Sequence, residues 1–263
     1  MLRISILALS MALAACATTS GDEKASAMPE TTAAQQAPAP ATPAARAAME
    51  QRPPLERATF WTREYELNPA DKQAATEFSR ALRQIGNPEK AASVAEQALT
   101  LYPGHAPLLL AFGSARLEEG RAPAAIDPLK HAAAVAPGDW RPWSVLGIAH
   151  DLMGDYPAAQ DAYRRALQLS PENPRILSNY AMSYTLSGQP AEAERLLRKA
   201  TAQENPPAEA RQNLALVLAL QGKFDEARNL SLIDVPAGTA AANIDYIRSM
   251  LTRTRSWDDM RGG

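Results

Sequence analysis

The chain has 263 residues, 46% of them apolar but only 6% aromatic, and a formal net charge of −2. Such a composition, dominated by alanine, suits helices packed through small side chains and speaks against an aromatic-filled β-sandwich. A pI near 6.0 gives no overall electrostatic footprint for nucleic acid, and no stretch reaches the ~20 apolar residues of a membrane span. Cys16 is the only cysteine, so no intrachain disulfide can form.

At the start of the chain, Arg3 precedes a short apolar run over residues 4–15 that ends in small side chains, the pattern of a secretory signal. The run closes with Leu13-Ala14-Ala15-Cys16. This resembles the processing box of bacterial lipoproteins. The resemblance implies that residues 1–15 are a signal peptide removed on maturation and that Cys16 becomes the acylated N-terminus. Two or more acyl chains anchor a protein stably where one does not. Ala17, where an aspartate would signal retention, implies the periplasmic side of the outer membrane. Residues 16–53 are rich in Ala, Pro, Thr and Gln with almost no large apolar side chain, so they are expected to form a disordered tether. As a flexible coil this tether would span roughly 30–35 Å.

From there on the chain is periodic. Gly86, Gly120, Gly154, Gly188 and Gly222 are each 34 residues apart, and Pro69, Pro103, Pro137 and Pro171 keep the same interval in another phase. Self-similarity at a fixed period of this length marks an array of one supersecondary unit. Within a unit, Trp143, Leu146 and His150 share a helical face. Gly154 ends that helix at a position favouring left-handed backbone, Pro157 sits in the first turn of the next, and Pro171 closes it. Small residues recur where two helices must approach closely: Ser79, Gly113, Gly147, Ala181 and Ala215 in the first helix, and Ala91, Ala125, Ala159, Ala193 and Ala227 in the second.

The unit DWRPWSVLGIAHDLMGDYPAAQDAYRRALQLSPE resembles the tetratricopeptide repeat, through Trp143, Leu146, Gly147, Gly154, Tyr156, Ala159, Tyr163, Ala166 and Pro171. The fold expected is all-α, a solenoid of antiparallel helix pairs over 54–235. A lone helix spans 54–68, and units begin at 72, 106, 140, 174 and 208. Residues 236–263 are expected to hold a C-terminal capping helix and tail, with Ile244, Ile247, Met250 and Leu251 on its apolar face.

In that family the first helix of each unit lines a concave groove. The resemblance therefore makes Thr76, Arg80, Arg83, Leu110, Ser114, Arg141, Ile148, Asp151, Arg175, Asn179, Met182, Gln212, Asn213 and Leu216 candidate partner contacts. Asn179 and Asn213 occupy one shared position, where an amide can both donate and accept along a peptide backbone. Ile148, Met182 and Leu216 step along successive units, either as an apolar strip for an amphipathic helix or as inter-repeat core. The family's carboxylate clamp needs Lys or Arg where this chain has Thr76, Leu110, Ser144 and Ser178, which speaks against a terminal carboxylate as ligand.

No nucleotide-binding loop, metalloprotease motif or nucleophile elbow is present. His105, His131 and His150 lack metal-ligand spacing, and His150 sits at a packing position. No catalytic residue, metal, cofactor, small-molecule substrate or nucleic acid is expected. The ending NLALVLALQGKFDEARNLSLIDVPAGTAAANIDYIRSML, with Ser256-Trp257, resembles the TadD-type tetratricopeptide lipoproteins of tight-adherence (Flp) pilus systems. This implies an adaptor that helps a pilus secretin, or another pilus assembly component, to assemble or localise. The alternative is a cell-envelope scaffold recruiting peptidoglycan hydrolases or outer-membrane assembly factors.

Overall fold

The computed structural model describes residues 39–261, with side chains as far as Thr252. Cys16, the segment read as a signal peptide and the tether as far as Pro38 lie outside the described residues. Within them are thirteen α-helices and no strand. A short helix, α1 (Pro43–Ala48), and a single 3-10 turn precede α2 (Pro54–Leu67). Five hairpins follow: α3 (Lys72–Gln84) with α4 (Pro88–Leu101), α5 (Ala106–Glu118) with α6 (Ala122–Val135), α7 (Trp140–Leu152) with α8 (Tyr156–Leu169), α9 (Pro174–Leu186) with α10 (Pro190–Thr201), and α11 (Ala208–Leu220) with α12 (Phe224–Ser231). The long α13 (Ala237–Arg261) packs on α11 and α12 and closes the array.

The hairpin turn is the same five times. Gly86, Gly120, Gly154, Gly188 and Gly222 all have φ between +75° and +78°, a conformation that L side chains adopt only with strain. At each, the glycine N–H and the N–H after it return to carbonyls of the last helical turn, as Gly154 does to Asp151 at 3.0 Å and Asp155 to His150 at 2.9 Å. This is the Schellman closure that satisfies otherwise orphaned carbonyls. The next helix starts at once, because Asn87 and Asp155 cap it from the side chain and prolines stand in its first turn.

Close approach of the two helices is set by the small residues. A Cβ on Gly147 would lie 2.5 Å from Cε1 and Cζ of Tyr163, and one on Gly113 would lie 2.6 Å from Cγ of Leu129. In the first unit the same place is held by Ser79, wholly buried, whose hydroxyl donates to the Ala91 carbonyl at 2.9 Å. Ala91, Ala125, Ala159, Ala193 and Ala227 are all fully buried opposite. Trp61 in α2 fills the position that Tyr163 fills in the third hairpin, so α2 serves as a second helix lacking its first.

The structure differs from the expected tether over residues 43–51, which are helical, capped by Thr42 and docked on α2. The Arg46 guanidinium pairs with Glu64 at 2.7 Å and with Asp71 at 2.6 Å and lies over the Trp61 ring. The Ala41 N–H donates to both Glu64 carboxylate oxygens. Glu64 is 2% exposed and takes the place that Ala98, Ala132, Ala166 and Ala200 hold in later units. Its buried charge is compensated only while this strap is in place.

Units four and five are joined by another ion cluster. One Glu194 oxygen accepts from Lys223 at 2.6 Å and from the Gln221 amide at 2.8 Å, and its other oxygen accepts from Arg198 at 2.9 Å. Partial burial pushes the Glu194 carboxyl up, but the hydrogen bonds from Lys223, Arg198 and Gln221 outweigh it and hold the pKa down at about 2.

Two outcomes follow. Gly147→Ala adds helix propensity worth about 1 kcal/mol but overpacks a buried ring at a typical cost of about 1–3 kcal/mol; the melting temperature should fall, and one that rises would contradict the contact. Glu194 has a folded pKa below its unfolded value, so its contribution is present above pH 4.5 and lost as pH falls toward about 2. Glu194→Gln should lower stability at pH 7 by no more than about 1 kcal/mol and should flatten that acid limb in melts from pH 7 to pH 2.5.

Candidate functional site

The first helices of neighbouring hairpins touch one another, α3 with α5, α5 with α7, α7 with α9 and α9 with α11, whereas the second helices do not meet. The side on which helices crowd is the inside of a curved stack. The first helices therefore line the concave face, and the residues on it come from chain positions far apart in sequence.

The central concavity has a volume of about 420 Å³. It is lined by Arg80 and Arg83 from α3, Leu110 and Ser114 from α5, Trp140, Arg141, Val145 and Ile148 from α7, and Arg175 and Asn179 from α9. Arg80, Arg83, Ser114, Arg141, Ile148 and Asn179 are thereby brought together, with Arg175 beside them. Ser114 is 5% exposed, so only its edge reaches the surface. Thr76, Ser144 and Ser178 are buried too, so three of the four positions of the family's carboxylate clamp serve packing in this chain, while the fourth, Leu110, puts an apolar side chain on the groove. Trp140 and Val145 line the groove although periodicity gives no reason to choose them. The signal available is Trp140 itself, an aromatic at the first turn of an inner helix.

The charges are partly matched. Arg80 pairs with Glu77 at 2.9 Å, and Glu77 is shared with Arg57 at 3.4 Å. Arg83 reaches across units to Glu118 at 2.6 Å. Arg141 forks onto Asp139, which also accepts the Arg141 N–H as the N-cap of α7. The hydrogen bond from Arg141 and that cap hold the Asp139 carboxyl below its ordinary value despite desolvation.

Asp151, Asn213, Met182 and Leu216 do not join this group. The Asp151 carboxylate is half-buried between hairpins, accepting from Tyr163 at 2.9 Å and from Ser183 at 2.6 Å. The Asn213 amide donates to Ser178 Oγ at 2.9 Å, so its nitrogen bridges α11 to α9 instead of facing a ligand. Leu216 lines a second, apolar concavity of about 360 Å³ between α11 and α13, with Val235, Ile244, Tyr246 and Ile247. Ile148 and Leu216 also pack against the core, which is the inter-repeat role weighed for them, and they line two separate concavities. His150 is half-buried, its Nδ1 3.6 Å from Asp155. Among the described residues no cluster of His, Cys, Asp or Glu could hold a metal ion, and no helix is long and apolar enough to cross a membrane.

Two family models match the chain. Residues 76–139 match one described as a tetratricopeptide repeat. Residues 128–230 match one described as the TPR domain of cytochrome c-type biogenesis protein H. Solved structures agree on the fold. TTC0263, a thermophilic TPR protein of Thermus thermophilus, is 22% identical with a TM-score of 0.59, over 66% of this chain and 97% of that one. A tetratricopeptide repeat protein from Parabacteroides merdae is 14% identical with a TM-score of 0.62, over 74% of this chain and 78% of that one. YrrB, described as a TPR protein with an unusual peptide-binding site, is 19% identical with a TM-score of 0.50, over 72% and 99% respectively. Among curated proteins there is no match.

Burial pushes the Asp151 carboxyl above its ordinary value, and the donors Ser183 and Tyr163 offset this only in part. A raised folded pKa contributes stability below the unfolded value, and that contribution is lost as pH rises through the folded one. Asp151→Asn keeps a hydrogen-bonding side chain without the buried charge, so it should melt within about 1 kcal/mol of the parent at pH 7, or above it. Asp151→Ala strands two hydroxyls and should cost about 1–3 kcal/mol. Equal losses in the two variants, by thermal melts, would contradict the packing role.

Proposed function

We propose that this chain, a tetratricopeptide-repeat protein whose stacked hairpins form a scaffold for protein–protein interaction, is a non-catalytic lipoprotein adaptor of Flp (tight-adherence) pilus biogenesis. It sits on the periplasmic side of the outer membrane, held by acylated Cys16, and grips a segment of the pilus secretin or of another assembly component in its inner groove. The observation that carries this reading is the concave face itself. Four consecutive inner helices present guanidinium, amide and apolar groups to one open concavity of about 420 Å³. Such a surface is what a solenoid uses to hold an extended chain.

The lipid anchor rests on Leu13-Ala14-Ala15-Cys16, and the pilus assignment on the resemblance of the C-terminal sequence to TadD-type lipoproteins. The peptide-binding site in the description of YrrB supports a peptide as the kind of ligand. The match of residues 128–230 to a TPR domain of a cytochrome biogenesis protein supports a repeat scaffold without selecting the pilus role, and the second reading is a cell-envelope scaffold serving hydrolases or outer-membrane assembly factors.

Cys16→Ser should leave a folded, soluble body and abolish surface pili. Normal piliation in that variant would overturn the pilus role. Mild crosslinking followed by co-purification separates the two readings: a secretin subunit supports the first, a cell-wall hydrolase the second.

A further inference from the structure

We infer that the central concavity receives an acidic stretch of an extended protein segment, its carboxylates seated among Arg83, Arg141 and Arg175. This rests on the proposed reading of the inner face as the partner-binding surface, and it adds the chemistry of the partner.

The lining carries four arginines, Arg80, Arg83, Arg141 and Arg175, and no carboxylate. Composition does not explain this, because the chain as a whole has a formal charge of −2. The positive charge is concentrated where the helices converge. From outside the lining it is neutralised only in part. Glu77 is divided between Arg57 and Arg80. Glu118 and Asp139 each serve one guanidinium, and Asp139 is also committed to capping α7. Arg175 is exposed and has no ion pair among the described residues.

A guanidinium has five N–H donors in a fixed fork, so Arg83 and Arg141 keep donors free beside their present partners. Those pairs are part-exposed and hold only about 0–1 kcal/mol each, little enough for an incoming carboxylate to share or displace. Leu110, Val145 and Ile148 lie between the charges. They give the aliphatic stems of glutamates a dry floor and reduce the screening of each new ion pair.

Two features favour a polypeptide over other polyanions. Asn179 is half-buried in the same concavity with no side-chain partner among the described residues, and a free amide pairs with a peptide unit through both donor and acceptor. The basic side chains are also confined to a concave surface, which cannot lie flat on lipid headgroups, in a protein whose pI of about 6.0 repels nucleic acid at long range. A neighbouring concavity of about 260 Å³ shares Arg80 and Arg141 and adds Lys72, with Glu77 as its one carboxylate. The concavity at α13 carries no charged side chain, which bounds the acidic stretch on that side.

The test is fluorescence anisotropy with the full-length lipoprotein in uncharged detergent micelles. The probes are an N-acetylated, C-amidated deca-glutamate peptide carrying a side-chain fluorophore, the matching deca-glutamine peptide, a ten-nucleotide oligo-dT, and phosphatidylglycerol vesicles. The glutamate peptide should bind about tenfold or more tighter than the glutamine peptide, with affinity falling as salt is added. The double variant Arg141→Ala/Arg175→Ala should lose about tenfold of that affinity with an unchanged helical melt. Arg63→Ala/Arg195→Ala, on exposed positions outside the concavity, should not. Equal affinity for the two peptides, no binding, an equal loss in the control variant, or tighter binding of oligo-dT or vesicles would each overturn the inference. A photo-crosslinking residue at position 148 in cells separates this failure from that of the parent reading. A crosslinked partner without glutamate-peptide binding removes the acidic class alone, and no crosslink removes the groove as well.

Discussion

The distance between the two helices of each hairpin is the constraint on which everything else rests. Gly147 lies so close to the Tyr163 ring that a Cβ there would fall 2.5 Å from it, and Ala159 on the facing helix is fully buried. Interiors are packed densely enough that one methylene at such a contact is felt. Repeating this contact every 34 residues gives every hairpin nearly the same thickness. Identical blocks stacked with a constant small rotation curve in a single direction. The concave face is thus a consequence of small residues that lie nowhere near it.

Curvature then decides which side chains meet. Arg80 and Arg175 stand 95 residues apart yet line one concavity. The inner helices have little freedom to do otherwise, since their opposite faces are committed to the core. Their exposed stripe is narrow, and residues at its edge are drawn into bridges between neighbouring units. Asp151 ends there against Ser183 and Tyr163, and Asn213 against Ser178. One turn along the helix separates a side chain free for a ligand from one that ties two hairpins together.

This explains what sequence can and cannot reveal. The glycine and proline periods announce hairpins because left-handed backbone and a missing N–H are local requirements, visible one residue at a time. Which faces are inner follows from the same period. Whether Asp151 or Asn213 is free does not, because the partners of each sit in an adjacent unit and no single helix shows them. Arg83 and Arg141 can be placed on the groove by register, but their convergence with Arg175 needs the superhelical rotation. The strap at α1 is hidden for another reason. Composition weighs apolar content, and this strap is held by charge. Its one legible sign is Glu64, a carboxylate at a position where the following units carry alanine.

The two ends of the array are closed by opposite means, and length explains the choice. A helix of six residues such as α1 is marginal by itself and has no face wide enough to bury a core stripe. It can be fixed only by a few directional bonds, and Arg46 supplies them to Glu64 and Asp71. With 25 residues, α13 has several turns to spend. Ala240, Ile244 and Ile247 lie on one of its sides, at exposures of 0%, 2% and 8%, against α11 and α12. An apolar cap tolerates sliding along its stripe, whereas a guanidinium bonded at once to two carboxylates fixes one register. The end nearer the proposed lipid anchor is therefore the one whose position is specified most tightly. A pull transmitted through residues 39–42 would load the Arg46–Glu64 pair before it reached any hairpin.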